Sequence, residues 1–133
     1  MSATSGSELE SIKLFAGLDA DERAIIADLL TIETYGNGLS IVREGEVGYV
    51  FYVLKTGRAE VSHEGPLLRV LAPGDFFGEV AISGDGKRSS TVTARGDVEI
   101  WAMFGTSLGQ LERSHPDIAS KLRTTVRDRQ ATD

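Results

Sequence analysis

The spacing of apolar residues changes twice along the chain. In "DADERAIIADLL", Ile25, Ile26, Leu29 and Leu30 recur at helical intervals, which predicts a helix with one buried face. Asp19 and Glu22, three residues apart, form its capping box, each side chain satisfying the other's free backbone N–H. A second box is read in "SELESIKLF", with Ser7 as cap and Glu10 as its partner. The residues before it, 1–7, are small and polar and are expected to be disordered. From Thr31 the period shortens. The runs "LSIV", "YVFYVL", "RAEVS", "LLRVL", "SSTVTA" and "VEIWAMF" are rich in β-branched and aromatic residues. Turn chemistry separates them: "YGNG", "REGEVG", "KTGR", "EGP", "APGD" and "ARGD". In "GYVFYVL", Tyr49, Phe51 and Val53 are placed on one face and Val50, Tyr52 and Leu54 on the other.

Short strands at eight- to twelve-residue intervals with glycine turns predict a β-sandwich or jelly-roll barrel. After Phe104 the helical period returns. "TSLGQLERSHPDIASKLRTTVRDRQ" is read as two helices, the second opening with Pro116 near its first turn. Ile118, Leu122 and Val126 form the buried stripe of that closing helix, and Lys121, Arg123, Arg127 and Arg129 gather toward its C-terminal half, where the dipole favours cations. The fold expected is mainly β with flanking helices: one domain over residues 8–130, with a short tail at 131–133.

The totals narrow the function. A chain of 133 residues closes one hydrophobic core. Its net charge of −6 argues against a duplex-binding surface, because polyanion binding rests on clustered cations. The absence of cysteine removes disulfides, thiolate catalysis and cysteine-ligated zinc. The two histidines, His63 and His115, are too far apart to suggest a metal, so no metal site is expected. The start "MSATSGSELE" does not read as a secretion signal, and no apolar run approaches membrane-spanning length. A soluble cytoplasmic domain is expected.

One stretch gathers unusual chemistry. "FFGEVAISGDGKRSSTV" sets Arg88 nine residues after Glu79, with three glycines between Phe76 and Val92. A small phosphate ester in a barrel needs backbone N–H groups with open space before them, which glycines and a short helical turn provide. It needs a guanidinium, whose planar fork holds two phosphate oxygens at once. An attached ribose can donate to a carboxylate. Gly78 and Glu79 are read as opening a helical turn through Ser83, with Gly84 and Gly86 returning the chain to Arg88, Ser89 and Ser90.

This stretch resembles the phosphate-binding cassette of cyclic nucleotide-binding domains, in which F-G-E-(apolar)-A-(apolar) is followed by arginine, small residues and T-V. "EGEVGYVFYVLKTGRAEV" is similar to that family's central strand pair, and "LAPGDFFGE" to the turn before its cassette. "LFAGLDADERAIIADLL" and "SHPDIASKLR" resemble its flanking helices, so the likeness covers roughly residues 10 to 129. The resemblance implies that Glu79 accepts from the ribose 2′-hydroxyl and that Arg88 pairs with the exocyclic phosphate oxygens. It places backbone N–H groups around Ala81 and Ser89 at the phosphate and the Gly78 backbone beside the sugar. Phe77, Val80 and Ser90 complete the set. Val61 and Leu71 become the apolar wall for the base, and Arg129 on the closing helix, with Arg127 as the alternative, a lid over it. Two positions depart from the pattern: Lys87 stands where proline is common, and Val80 where leucine or methionine is.

The implied function is a non-enzymatic sensor with cyclic AMP as ligand, cyclic GMP as the alternative and no cofactor. An effector domain or partner protein would read the closing helix. Moving such a switch from 1:99 to 99:1 requires about 5.5 kcal/mol of preference for the closed form. Two other readings stand beside it. A cupin-type barrel enzyme would need closely spaced histidines that this chain lacks. A ligand-free interaction module would use Glu79 and Arg88 as a structural ion pair. The chain is expected to be neither a transcription factor nor a channel by itself, having no helix-turn-helix and no membrane span. The remaining features have plainer readings: Arg129 as a solvated helix-end cation, His63 as a solvated loop residue, His115 as a cap, Trp101 as core, and "RGD" at residues 95–97 as hairpin chemistry. "GDGK" fails as a P-loop because the glycine five residues before Gly86 and the following Ser or Thr are missing.

Overall fold

A computed structural model of the chain describes residues 4–46, 48–78, 88 and 90–132, with the backbone alone at 129–132. The N-terminal part is helical, but its details differ from expectation. The first capping box is closed by Ser5 and Glu8, not Ser7 and Glu10, and it opens a single 3-10 turn, Gly6–Leu9. A second turn, Lys13–Phe15, follows. Thr4 is buried and its hydroxyl accepts from the Trp101 indole N–H at 2.9 Å, which seats the segment on the barrel. Helix α1 (Ala20–Leu29) has the expected box, with Asp19 accepting from the Glu22 N–H at 2.8 Å and Glu22 accepting from the Asp19 N–H at 3.0 Å.

Among the described residues six strands follow: β1 (Thr31–Tyr35), β2 (Ser40–Val42), β3 (Val50–Ser62), β4 (Leu67–Leu71), β5 (Phe76–Phe77) and β6 (Thr91–Phe104). They pair antiparallel in the order β1-β6-β3-β4, with β2 on β6 and β5 on β3. β3 and β6 are long and run together from Val50–Phe104 to Ser62–Thr91. "KTGR" and "ARGD" are therefore not chain reversals. They lie inside β3 and β6, where the register shifts around Thr56 and Arg58. Gly57 has a φ of +91, and a Cβ there would stand 2.6 Å from the Asp97 carbonyl oxygen, so only glycine fits the bulge. "RGD" thus sits within a strand and not at a hairpin tip.

The pleat of β3 feeds two cores, as the alternation predicts. Phe51 and Val53 join the cluster that contains Trp101, Met103 and the helices. Tyr52 and Leu54 join the barrel cluster with Ile100 and Ala102, and Val50 packs at its border. Tyr49 departs from the pattern, being more than half exposed.

Two helices complete the chain, α2 (Gly105–Ser114) and α3 (Pro116–Thr132). Ile118, Leu122 and Val126 are buried on the helix-side core, as their spacing predicts. His115 is a cap as expected: its N–H donates to the Leu111 carbonyl at 2.7 Å. Among the described residues no helix is long and apolar enough to cross a membrane.

Glu22 does a second task. Both its oxygens accept from Lys121 Nζ at 3.0 Å, fastening α3 to α1. The Asp19 N–H, and then Lys121, hold the Glu22 carboxyl below its ordinary value of 4.5. A carboxyl held down in the folded chain stabilises it above that value and loses the contribution as pH falls through the lowered one. Wild type is therefore expected to melt above Glu22→Gln at neutral pH, and the gap to close on acidification below 4.5. Melting curves across that range check it; a gap independent of pH would contradict it.

Candidate phosphate-binding site

Arg88 is the only buried charged side chain among the described residues, 6% exposed. The loop between β2 and β3 fixes its backbone on both sides. Its N–H donates to the Glu46 carbonyl at 2.8 Å, and its carbonyl accepts from the Gly45 N–H at 2.9 Å. Its guanidinium donates to the Val50 carbonyl at 3.0 Å and to the Gly78 carbonyl at 3.3 Å. Val50 opens β3 and Gly78 follows β5, so two neighbouring strands aim these oxygens at one point. The ring of Tyr52 lies 6.0 Å from the guanidinium carbon and itself stacks on Phe77 at 5.0 Å between centroids. Burial, and secondarily the Glu33 charge, raise the Tyr52 hydroxyl pKa, while Arg88 opposes them.

Space for the guanidinium exists because glycines flank it. A Cβ at Gly48 would stand 2.7 Å from Nη2. A Cβ at Gly78 would stand 2.8 Å from Nη1 and 2.8 Å from the Val50 carbonyl oxygen, and Gly78 has a φ of +76. The arrangement presents a pre-positioned planar cation in a low-dielectric setting, which suits two oxygens of one phosphate.

The sequence-derived site divides accordingly. Phe77, Gly78 and Arg88 come together as described above. Ser90 is half-buried just before β6. Val61 and Leu71 are 5% and 2% exposed in the barrel cluster that also holds Tyr52 and Phe77. Glu79, Val80, Ala81 and Ser89, and the helical turn expected from Gly78 to Ser83, lie outside the described residues. So does the side chain of Arg129, although its backbone continues α3. Trp101 is core, as expected. His63 is half-exposed but not simply solvated, since Nδ1 lies 3.0 Å from a Glu44 oxygen.

Sequence reasoning did not assign Gly48, Val50 or Tyr52 to the site. The available signal was the alternation that sets Val50 and Tyr52 opposite Phe51, together with the glycine two residues before Val50.

Comparison with known proteins agrees with this geometry. The cyclic nucleotide-binding domain family model matches residues 32–115. A cAMP-dependent protein kinase regulatory subunit from Debaryomyces hansenii is 42% identical over 100 residues, which is 74% of this chain and 22% of that protein. A cGMP-dependent protein kinase from Toxoplasma gondii is 42% identical over 86 residues, 65% of this chain and 9% of that one. The chain thus spans a small part of the length of these relatives. Among solved structures, the regulatory domain of Toxoplasma gondii PKA with cAMP superposes with a TM-score of 0.76 at 30% identity, covering 92% of this chain and 48% of that one. The N-terminal domain of a transcriptional regulator from Streptomyces coelicolor gives 0.79 at 26% identity, covering 94% and 90%. The match across both long strands and the arginine segment identifies this chain as a member of the cyclic nucleotide-binding domain family.

Proposed function

We propose that this chain is a non-enzymatic cytoplasmic sensor that binds cyclic AMP, with cyclic GMP as the alternative ligand. The observation that carries the reading is Arg88, buried and oriented by two backbone carbonyls between two glycines. Arg88 pairs with the phosphate, Glu79 with the ribose, and Ala81, Ser89 and Ser90 complete the phosphate shell. Phe77, Gly78 and Val80 shape the sugar side; Val61 and Leu71 wall the base. The nucleotide-binding unit covers residues 8–130, and the Thr4 hydroxyl, accepting from the Trp101 indole N–H, ties the preceding segment to it. Its last helix is the output element, with Arg129 as lid. Ile118, Leu122 and Val126 anchor the preceding turns to the helix-side core. An effector domain or partner protein reads how that helix is held. Competition against a fluorescent cyclic nucleotide tests this. Saturable displacement by unlabelled cyclic AMP or cyclic GMP is expected, and none by either at about millimolar concentration, near −4 kcal/mol, would remove the reading.

A further inference from the structure

Arg88's backbone is held by Gly45 and Glu46, so whatever fixes that loop also fixes the guanidinium. The preceding residue, Glu44, is pinned at both ends. Its N–H donates to the Thr91 hydroxyl at 3.1 Å, where β6 begins. Its carboxylate accepts from the Glu64 N–H at 3.0 and 3.2 Å and lies 3.0 Å from His63 Nδ1. His63 Nε2 lies 3.8 Å from the Glu64 carboxylate. His63 and Glu64 lie in the turn between β3 and β4, and Glu64 takes a φ of +53, a left-handed conformation that non-glycine residues adopt at a cost. Glu44 thus holds a strained turn at two groups, the Glu64 N–H and His63 Nδ1.

We propose that Glu44 is a positioning residue for Arg88, clasping the β3–β4 turn to the loop that frames the arginine. The role rests on the nucleotide-binding reading above. An exposed ion pair contributes little by itself. The effect here comes from geometry, because a charged pair is strong only while its fork and the phosphate stay in register. Loosening Glu44 frees Gly45 and Glu46 to shift, and the Arg88 main chain shifts with them.

The test compares wild type, Glu44→Ala and Glu44→Gln in affinity for cyclic AMP and cyclic GMP, and in amide exchange without ligand. Glu44→Ala is expected to weaken binding at least fivefold. Exchange at the Gly45 and Arg88 amides should accelerate at least tenfold, with the Ile100 and Ala102 amides of β6 unchanged. Glu44→Gln keeps an acceptor for the Glu64 N–H and should recover most of both losses. Affinity within twofold of wild type, or acceleration spread equally over β6, overturns the proposal, as does a glutamine variant no better than alanine. If wild type binds neither nucleotide, the binding reading falls and exchange alone decides the clasp; unchanged exchange at Gly45 and Arg88 then overturns it as well.

Discussion

Replacing Arg88 by alanine is expected to weaken cyclic nucleotide binding by about 30-fold to several thousandfold. Truncating one side of a buried, hydrogen-bonded charge pair costs about 2–5 kcal/mol, and each 1.4 kcal/mol is a factor of ten. The position belongs in that class because the side chain is 6% exposed and two strands fix its orientation. Arg88→Lys keeps the charge but loses the planar fork, so its affinity should lie between wild type and alanine. Calorimetric titration of the three proteins reads both steps. An alanine variant within threefold of wild type would show that the phosphate is anchored elsewhere, and would favour the ligand-free module.

The two glycines beside the guanidinium are expected to fail differently. Gly78→Ala meets the Val50 carbonyl oxygen, a backbone atom fixed in β3, and it also forces an alanine to a φ of +76. Left-handed strain of about 1–3 kcal/mol and overpacking of about 1–3 kcal/mol add to a loss of roughly 2–6 kcal/mol in stability, with binding lost as well. Gly48→Ala meets the Arg88 guanidinium, with Nη2 at 2.7 Å and Nε at 3.0 Å, a side-chain group that moves only by giving up its two backbone carbonyls. Its melting temperature should therefore fall less than that of Gly78→Ala, which adds backbone strain, while affinity drops roughly tenfold or more, since the displaced fork no longer matches the phosphate. Denaturant unfolding and titration of both variants separate the cases. Equal stability losses would mean that the guanidinium is as immobile as the strand behind it.

Most of the architecture was legible because its signals are local. The Asp19–Glu22 box, the stripe of Ile118, Leu122 and Val126, and the two-faced run from Val50 to Leu54 each need only their own neighbours to be read. The errors arose where distant residues decide. Gly57 and Gly96 look like turn glycines, but a positive φ serves a bulge equally well, and the crowding at Gly57 comes from Asp97 and Val98 on the opposite strand. Ser5–Glu8 and Ser7–Glu10 both satisfy the capping pattern. The former is the one used, in a segment where Gly6 lies against the Ala24 backbone and Thr4 against Trp101. In the site, the motif around Arg88 was legible as a string, whereas its cradle was not. Val50 and Gly48 reach the arginine only through the chain's return from β5, a relation that no spacing along the sequence encodes.

Trp101, the only tryptophan in the chain, carries a practical consequence. Its indole faces the helices and is bonded to Thr4, while its neighbours Ile100 and Ala102 point into the barrel. The molecule therefore contains a built-in optical probe on the side of the sheet away from the arginine. A ligand-induced change in its emission would mean that an event in the barrel had crossed the β-layer to the helical side, with no dye attached. Silence in that channel, while a labelled nucleotide reports occupancy, would mean that the signal leaves by another route.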